Sequence, residues 1–185
     1  DGFFYDLLRL PDGQAMRLKV RSLVGLLPLC ASTVFEADSV TRYPRLMELI
    51  AQFRKRHPEL VSQVAPTDAG FVGYRDRRLL SLLNKQKLER VLGYLLDEQE
   101  FLGPHGIRSL SRHHLEHPFV FHVGDQEYSV RYLPGESNTG MFGGNSNWRG
   151  PVWMPINVLL VRALLNLYSF YGEEFKVECP TGSGQ

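Results

Sequence analysis

Apolar residues along most of the chain recur at helical spacing. From Leu18 to about Ser32 they fall at Leu18, Leu23, Val24, Leu26, Leu27 and Leu29. They wrap around rather than form one stripe, which predicts a helix covered on more than one side. Pro28 is expected to bend that helix or end it early. The next segment is simpler. Thr41 is a candidate N-cap, Pro44 suits a first turn, and Leu46, Leu49, Ile50 and Phe53 make an i, i+3, i+4, i+7 stripe. Arg54, Lys55, Arg56 and His57 crowd its end, where cations suit the helix dipole, and Pro58 stops it.

A third helical region is predicted from Arg78 to about Asp97, in two pieces if Asn84 caps a new helix bearing Leu88, Val91, Leu92 and Leu95. The period then changes. Phe119, Phe121 and Val123 alternate, Gly124-Asp125 can turn, and Tyr128, Val130 and Tyr132 alternate again, so a β-hairpin is expected near 118–133. The last helix is predicted from Pro155 to Gly172, a C′ glycine, with apolar residues nearly all round. The fold class expected from these elements is mainly all-α, with helices in layers and one hairpin inserted.

Composition narrows the choice of function. The chain has 185 residues, 21 basic and 20 acidic, for a formal net charge of +1. That balance excludes a disordered tail and offers no general electrostatic case for nucleic acid. The most apolar stretch, Leu23 to Ala31, is about half the ~20 residues needed to cross a bilayer, so no membrane partner is expected. Cys30 reads as a buried hydrophobe and Cys179 as a loop residue, and a disulfide between them is open but unforced. The chain begins at Asp1 and stops in the loop Pro180 to Gln185, so both ends read as cuts in a longer protein. With no signal peptide, a cytoplasmic location is favoured.

Chemistry concentrates in the run Gly143 to Trp153, which sets Trp148, Trp153, Arg149, Asn145 and Asn147 just ahead of a helix. A flat indole packs against the C–H face of a sugar ring, and Arg and Asn reach its hydroxyls. The plain alternative is that both tryptophans are core aromatics and Arg149 caps or packs. A second loop, Gly103 to Ser111, offers glycines and Arg108, with an ordinary helix-ending loop as its alternative. Asp1 and Asp6 are candidate acids or bases that more commonly cap or pair. His113, His114, Glu116 and His117 match no zinc spacing, so a metal there is not expected.

The Asn147-Trp148-Arg149-Gly150-Pro151 block resembles the bacterial branch of glycoside hydrolase family 63. So do Asp1 to Asp6, Leu18 to Gly25, Gly106 to Ser111, and Phe175 to Gly184, in the same order along the chain. The resemblance implies that residues 1–185 are one fragment from the middle of an (α/α)6 barrel, a partial toroid. It implies hydrolysis of α-glucosides or α-mannosides with inversion, in oligosaccharides or in glucosylglycerate and mannosylglycerate. Such chemistry uses a carboxylic acid and a carboxylate about 6.5–9.5 Å apart, so the resemblance implies no metal or organic cofactor. In that family the acid lies before the Asp1 block and the base after the Thr181-Gly182-Ser183-Gly184 loop. No catalytic residue is therefore expected within this chain, which alone should be inactive. Asn147, Trp148, Arg149 and Gly150 are carried over as substrate contacts, with Arg108 and Trp153 beside them. His105 stands where the family pattern has an aromatic residue. The expected partners are the carbohydrate, the remainder of the catalytic domain, and a second copy through exposed apolar faces. The rival reading is a helical interaction or scaffold domain without catalysis.

Overall fold

The computed structural model describes residues 1–61, 72–134 and 151–185. Contacts divide the chain into two compact units. The first comprises Asp1–Leu27, Arg90–Val158 and Val177–Gln185, and the second comprises Pro28–Glu89 and Leu159–Lys176. A single piece was the expectation from sequence.

The first unit opens with a hairpin, β1 (Asp6–Arg9) and β2 (Ala15–Leu18), paired antiparallel with Asp6 opposite Leu18. Pro11, Asp12 and Gly13 make its turn. Gly13 sits at φ +86°, its N–H donates to Leu10 O, and Asp12 Oδ1 accepts from Gln14 N. Leu18 therefore ends a strand and does not start a helix. A 3-10 helix, Leu23–Cys30, comes next, with Pro28 inside it, where the ring supplies no N–H. Gly25 allows the Phe3 ring to lie against the backbone, since an added Cβ would collide with that ring. Phe3 stacks on Phe101 at 5.6 Å between centroids and meets Tyr94 edge-on at 5.1 Å. Val20, Leu110 and Val130 form a second buried cluster, with Phe119 and Tyr132 packed on it.

The second unit holds a ladder between β3 (Ser32–Phe35) and β4 (Arg78–Ser81), antiparallel, with Ser32 opposite Ser81. The helices α1 (Ser39–Arg42), α2 (Pro44–Arg56) and α3 (Pro58–Val61) come after β3. Helix α4 (Lys85–Leu95) starts where Asn84 Oδ1 accepts from Lys87 N at 2.9 Å. Two further hairpins belong to the first unit: β5 (Leu102–Gly103) with β6 (Gly106–Ile107), and β7 (Phe119–Val123) with β8 (Gln126–Val130). The last pair turns at Gly124, φ +58°. Helix α5 (Met154–Tyr171) ends at Gly172, φ +65°. The division between the units falls within the 3-10 helix Leu23–Cys30, within α4 and within α5.

The expectation of an all-α chain, and with it the partial (α/α)6 toroid, does not hold. Among the described residues the structure is mixed, with four small antiparallel ladders beside helices that are mostly short. The error has a physical source. Local periodicity reads Ser32–Phe35 and Arg78–Ser81 as flanks of helices, whereas they pair with each other across a long stretch of chain. Exposure also differs from expectation. Helix α2 buries no residue, so Leu49 and Phe53 are each 51% exposed. Helix α5 buries Leu160, Ala163, Leu167 and Phe170 but leaves Val158 63% and Leu165 62% exposed. The segment Met154–Glu174 is long and apolar enough to cross a membrane by length and composition alone. Its buried face is that of a helix packed against protein.

Candidate functional site

The loop around β5 and β6 and the start of α5 are clasped together within the first unit. Asn157, buried in the helix, is the clasp. Its Oδ1 accepts from Ile107 N at 2.7 Å, while its Nδ2 donates to Ile107 O at 3.2 Å and to Trp153 O at 3.0 Å. Ser109 N donates to Pro151 O at 2.8 Å. Gly106, at φ +128°, leaves room for this fit: a Cβ there would lie 3.0 Å from both Asn157 Oδ1 and Val152 Cγ1. Two segments singled out for sugar binding are thus held in contact, and Trp153 is half-buried beside them. Asn147, Trp148, Arg149 and Gly150 lie outside the described residues.

Arg108 is placed differently from a free ligand-binding cation. Its Nη1 donates to Leu102 O at 2.6 Å, Glu98 O at 3.0 Å and Glu100 O at 3.3 Å. The guanidinium also lies over the Tyr132 ring, 6.0 Å from its centroid. It satisfies carbonyls of the turn after α4, a structural task that leaves little of the group for a sugar. His105 is exposed at the tip of the β5–β6 turn.

Behind this loop lies a buried polar network that sequence reasoning missed. Arg21 pairs with Glu100 Oε1, and Ser111 Oγ donates to Glu100 Oε2. Ser111 Oγ also accepts from His113 N at 3.0 Å. His114 Nε2 accepts from Arg21 N at 2.9 Å, so its proton sits on Nδ1, which donates to His117 O at 2.9 Å. Burial is the main cause lowering the His114 pKa, and burial followed by the Arg21 charge lowers that of His113. Burial works against the charge of Arg21, but hydrogen bonding to Tyr5 and the Glu100 carboxylate together hold its pKa above the ordinary value. Both Glu100 oxygens are engaged and Ser111 is fully buried, so the network braces the loop and presents no nucleophile.

The other sequence candidates are committed locally. Asp1 Oδ2 accepts from Tyr5 Oη at 2.5 Å and Oδ1 accepts from Phe3 N at 3.2 Å. Asp6 is exposed on β1. Glu178 Oε2 accepts from Gly182 N at 2.7 Å. Cys30 and Cys179 are both free thiols, the first half-buried and the second exposed. Among the described residues no group of three His, Cys, Asp or Glu side chains is placed to hold a metal ion.

No family model matches the chain, and no solved structure matches it. Uncharacterized protein YMR196W of Saccharomyces cerevisiae is 48% identical over 185 residues, the whole of this chain and 17% of that relative. The chain thus spans 17% of the length of the curated relative it matches. The resemblance to glycoside hydrolase family 63 is not upheld. The relative is an uncharacterised yeast protein, and small hairpins with short helices are not a segment of an (α/α)6 barrel.

Proposed function

We propose that this chain supplies part of the sugar-contacting wall of a protein that hydrolyses α-glucosides or α-mannosides, and that on its own it turns over no glycoside. One observation carries the reading: Asn157 fastens the Gly103–Ser111 loop to the residues that directly succeed the Trp148-Arg149 run. A sugar site needs aromatic faces and amide or guanidinium donors held rigidly against each other, and this clasp supplies the rigidity. The second half of the proposal comes from the carboxylates. Inverting hydrolysis needs an acid and a base with room for water between them. Asp1, Glu100 and Glu178 are engaged with neighbours inside the first unit. On this reading the acid and base lie outside this chain.

The test uses the purified chain. Titration with maltotriose and with an α-linked mannobiose is expected to change tryptophan emission, and Trp148→Ala or Trp153→Ala to remove most of the change. Nitrophenyl α-glucoside and α-mannoside should show no turnover above buffer. Emission indifferent to both sugars removes the sugar wall, and measurable turnover removes the claim of inactivity.

A non-catalytic interaction or scaffold domain is the second reading, and the uncovered apolar residues of α2 and α5 favour it. On this reading the mass of the chain in solution changes with concentration while sugars leave its emission unchanged.

A further inference from the structure

The second unit contains a cavity of about 820 Å3, between residues 72–77 and the end of α5. That volume is within the usual range for small-molecule sites. Its two walls are tied together. Gly73 lies so close to Phe170 that a Cβ would collide with the Phe170 carbonyl oxygen. Tyr74 packs on Gly172, and Arg77 Nη1 donates to Ser169 O at 3.0 Å. Arg75 and Asp76 hold φ values of 57° and 59°, a left-handed backbone that non-glycine residues keep only when their surroundings enforce it. These contacts hold the two walls against each other.

Its lining mixes aromatic rings with charges of both signs. Tyr74, Tyr168 and Phe175 contribute rings, Arg77 and Lys85 two cations, and Glu173 and Glu174 two carboxylates, so the formal sum is zero. Arg77 is further matched by Glu36, with Nε 3.1 Å from each carboxylate oxygen. A phosphate would meet no surplus of positive charge. A cationic ligand would meet Lys85, whose ammonium already lies 5.5 Å from the Phe175 ring centroid. A neutral ligand rich in hydroxyls suits the lining better. Tyr168 is largely exposed, and Lys85, Glu173 and Glu174 in the same lining supply donors and acceptors. The Tyr168 hydroxyl donates to Glu173 Oε1, which fixes the ring.

We propose that this cavity is a saccharide-binding site of its own, separate from the loop held by Asn157. It does not rest on the sugar-wall reading, because every residue in it belongs to the second unit.

The test monitors the backbone amide signals of Gly73 and Gly172 by NMR while the full chain is titrated with maltotriose. Both signals are expected to move and saturate, with a dissociation constant on the order of 1 mM. Tyr168→Ala, at an exposed position, should weaken this response roughly tenfold, and Lys85→Met should weaken it in the same direction. Trp153→Ala should leave it unchanged, which separates this site from the sugar wall. Inorganic phosphate should not move either signal. The proposal fails if maltotriose moves neither amide, if Tyr168→Ala folds normally and binds as before, or if Trp153→Ala abolishes the response. It also fails if phosphate moves the amides more than the sugar does.

Discussion

Asn157 shows how much one polar side chain can do inside an apolar helix. It serves both the N–H and the carbonyl of Ile107, and replacing it with Leu would strand both groups. Asn157→Leu is expected to cost about 2 kcal/mol, read from urea denaturation midpoints at constant slope. The sequence carried a signal for it, because an amide is out of place in so apolar a helix, yet periodicity alone does not say what it bonds. Trp153 and Arg108 were legible as residue types, whereas the spending of Arg108 on three carbonyls is a matter of tertiary geometry. His114 gives a second prediction. Burial lowers its pKa in the folded chain from the ordinary value of 6.5, so the unfolded chain takes up the proton first. His114 therefore contributes its full stability above pH ~6.5, and that contribution is lost as pH falls below ~6.5 through the folded-state value. His113, also lowered, acts in the same direction; the Arg21 charge adds to both depressions, whereas the hydrogen bond from His114 to the His117 carbonyl opposes that of His114. Thermal melts should be level between pH ~7 and ~8 and fall steadily toward pH ~5. His114→Gln, less stable at neutral pH, should show a shallower fall. An equal slope in the variant would assign the acid sensitivity elsewhere.

Several helix ends were legible because their determinants are local, although Thr41, expected to cap α2, lies inside α1 with its hydroxyl donating to Asp38 O, and no side chain caps α2. Pro44 opens α2, Gly172 closes α5, and Asn84 caps α4 through Lys87 N. Asn84→Ala should remove about 1 kcal/mol of stability, measured by chemical denaturation, and Asn84→Asp should keep most of it. A loss near zero would mean that packing of Leu88, Val91 and Leu92 alone holds the first turn. The β7–β8 hairpin was legible for the same reason: its alternation and its Gly124-Asp125 turn are contiguous. The β1–β2 hairpin carried a Pro11-Asp12-Gly13 turn that outweighs the helical spacing around Leu18. The β3–β4 ladder left no local trace, since each strand is four residues long and its partner is remote. Its Thr33, Val34 and Phe35 suit a strand, but short apolar runs do not separate strand from helix by period. That pairing turned an expected stack of helices into a mixed fold.

At the scale of the whole molecule, uncovered apolar surface meets an almost neutral charge. Leu49 and Phe53 on α2, and Val161 and Leu165 on α5, all belong to the second unit and are at least half exposed. Covering a single Leu or Phe side chain stabilises an association by about 1.5–3 kcal/mol before the entropy of docking is subtracted. A net charge of +1 gives little long-range repulsion to oppose it. The chain is therefore expected to self-associate as its concentration rises, with sedimentation velocity showing a shift toward larger species. Leu165→Glu and Phe53→Glu should each push that shift to higher concentration, and the double variant should sediment as a monomer. Both positions are more than half exposed, so the substitutions should change unfolding midpoints little, within roughly 0.5 kcal/mol. This makes a loss of association distinguishable from a loss of fold. The same variants bear on the choice between the sugar-wall and scaffold readings. If they abolish association while maltotriose still changes the tryptophan emission, the apolar faces and the sugar contacts are separate properties of one chain. If wild-type protein stays monomeric at every concentration tested, self-association is excluded and the scaffold reading loses its main support.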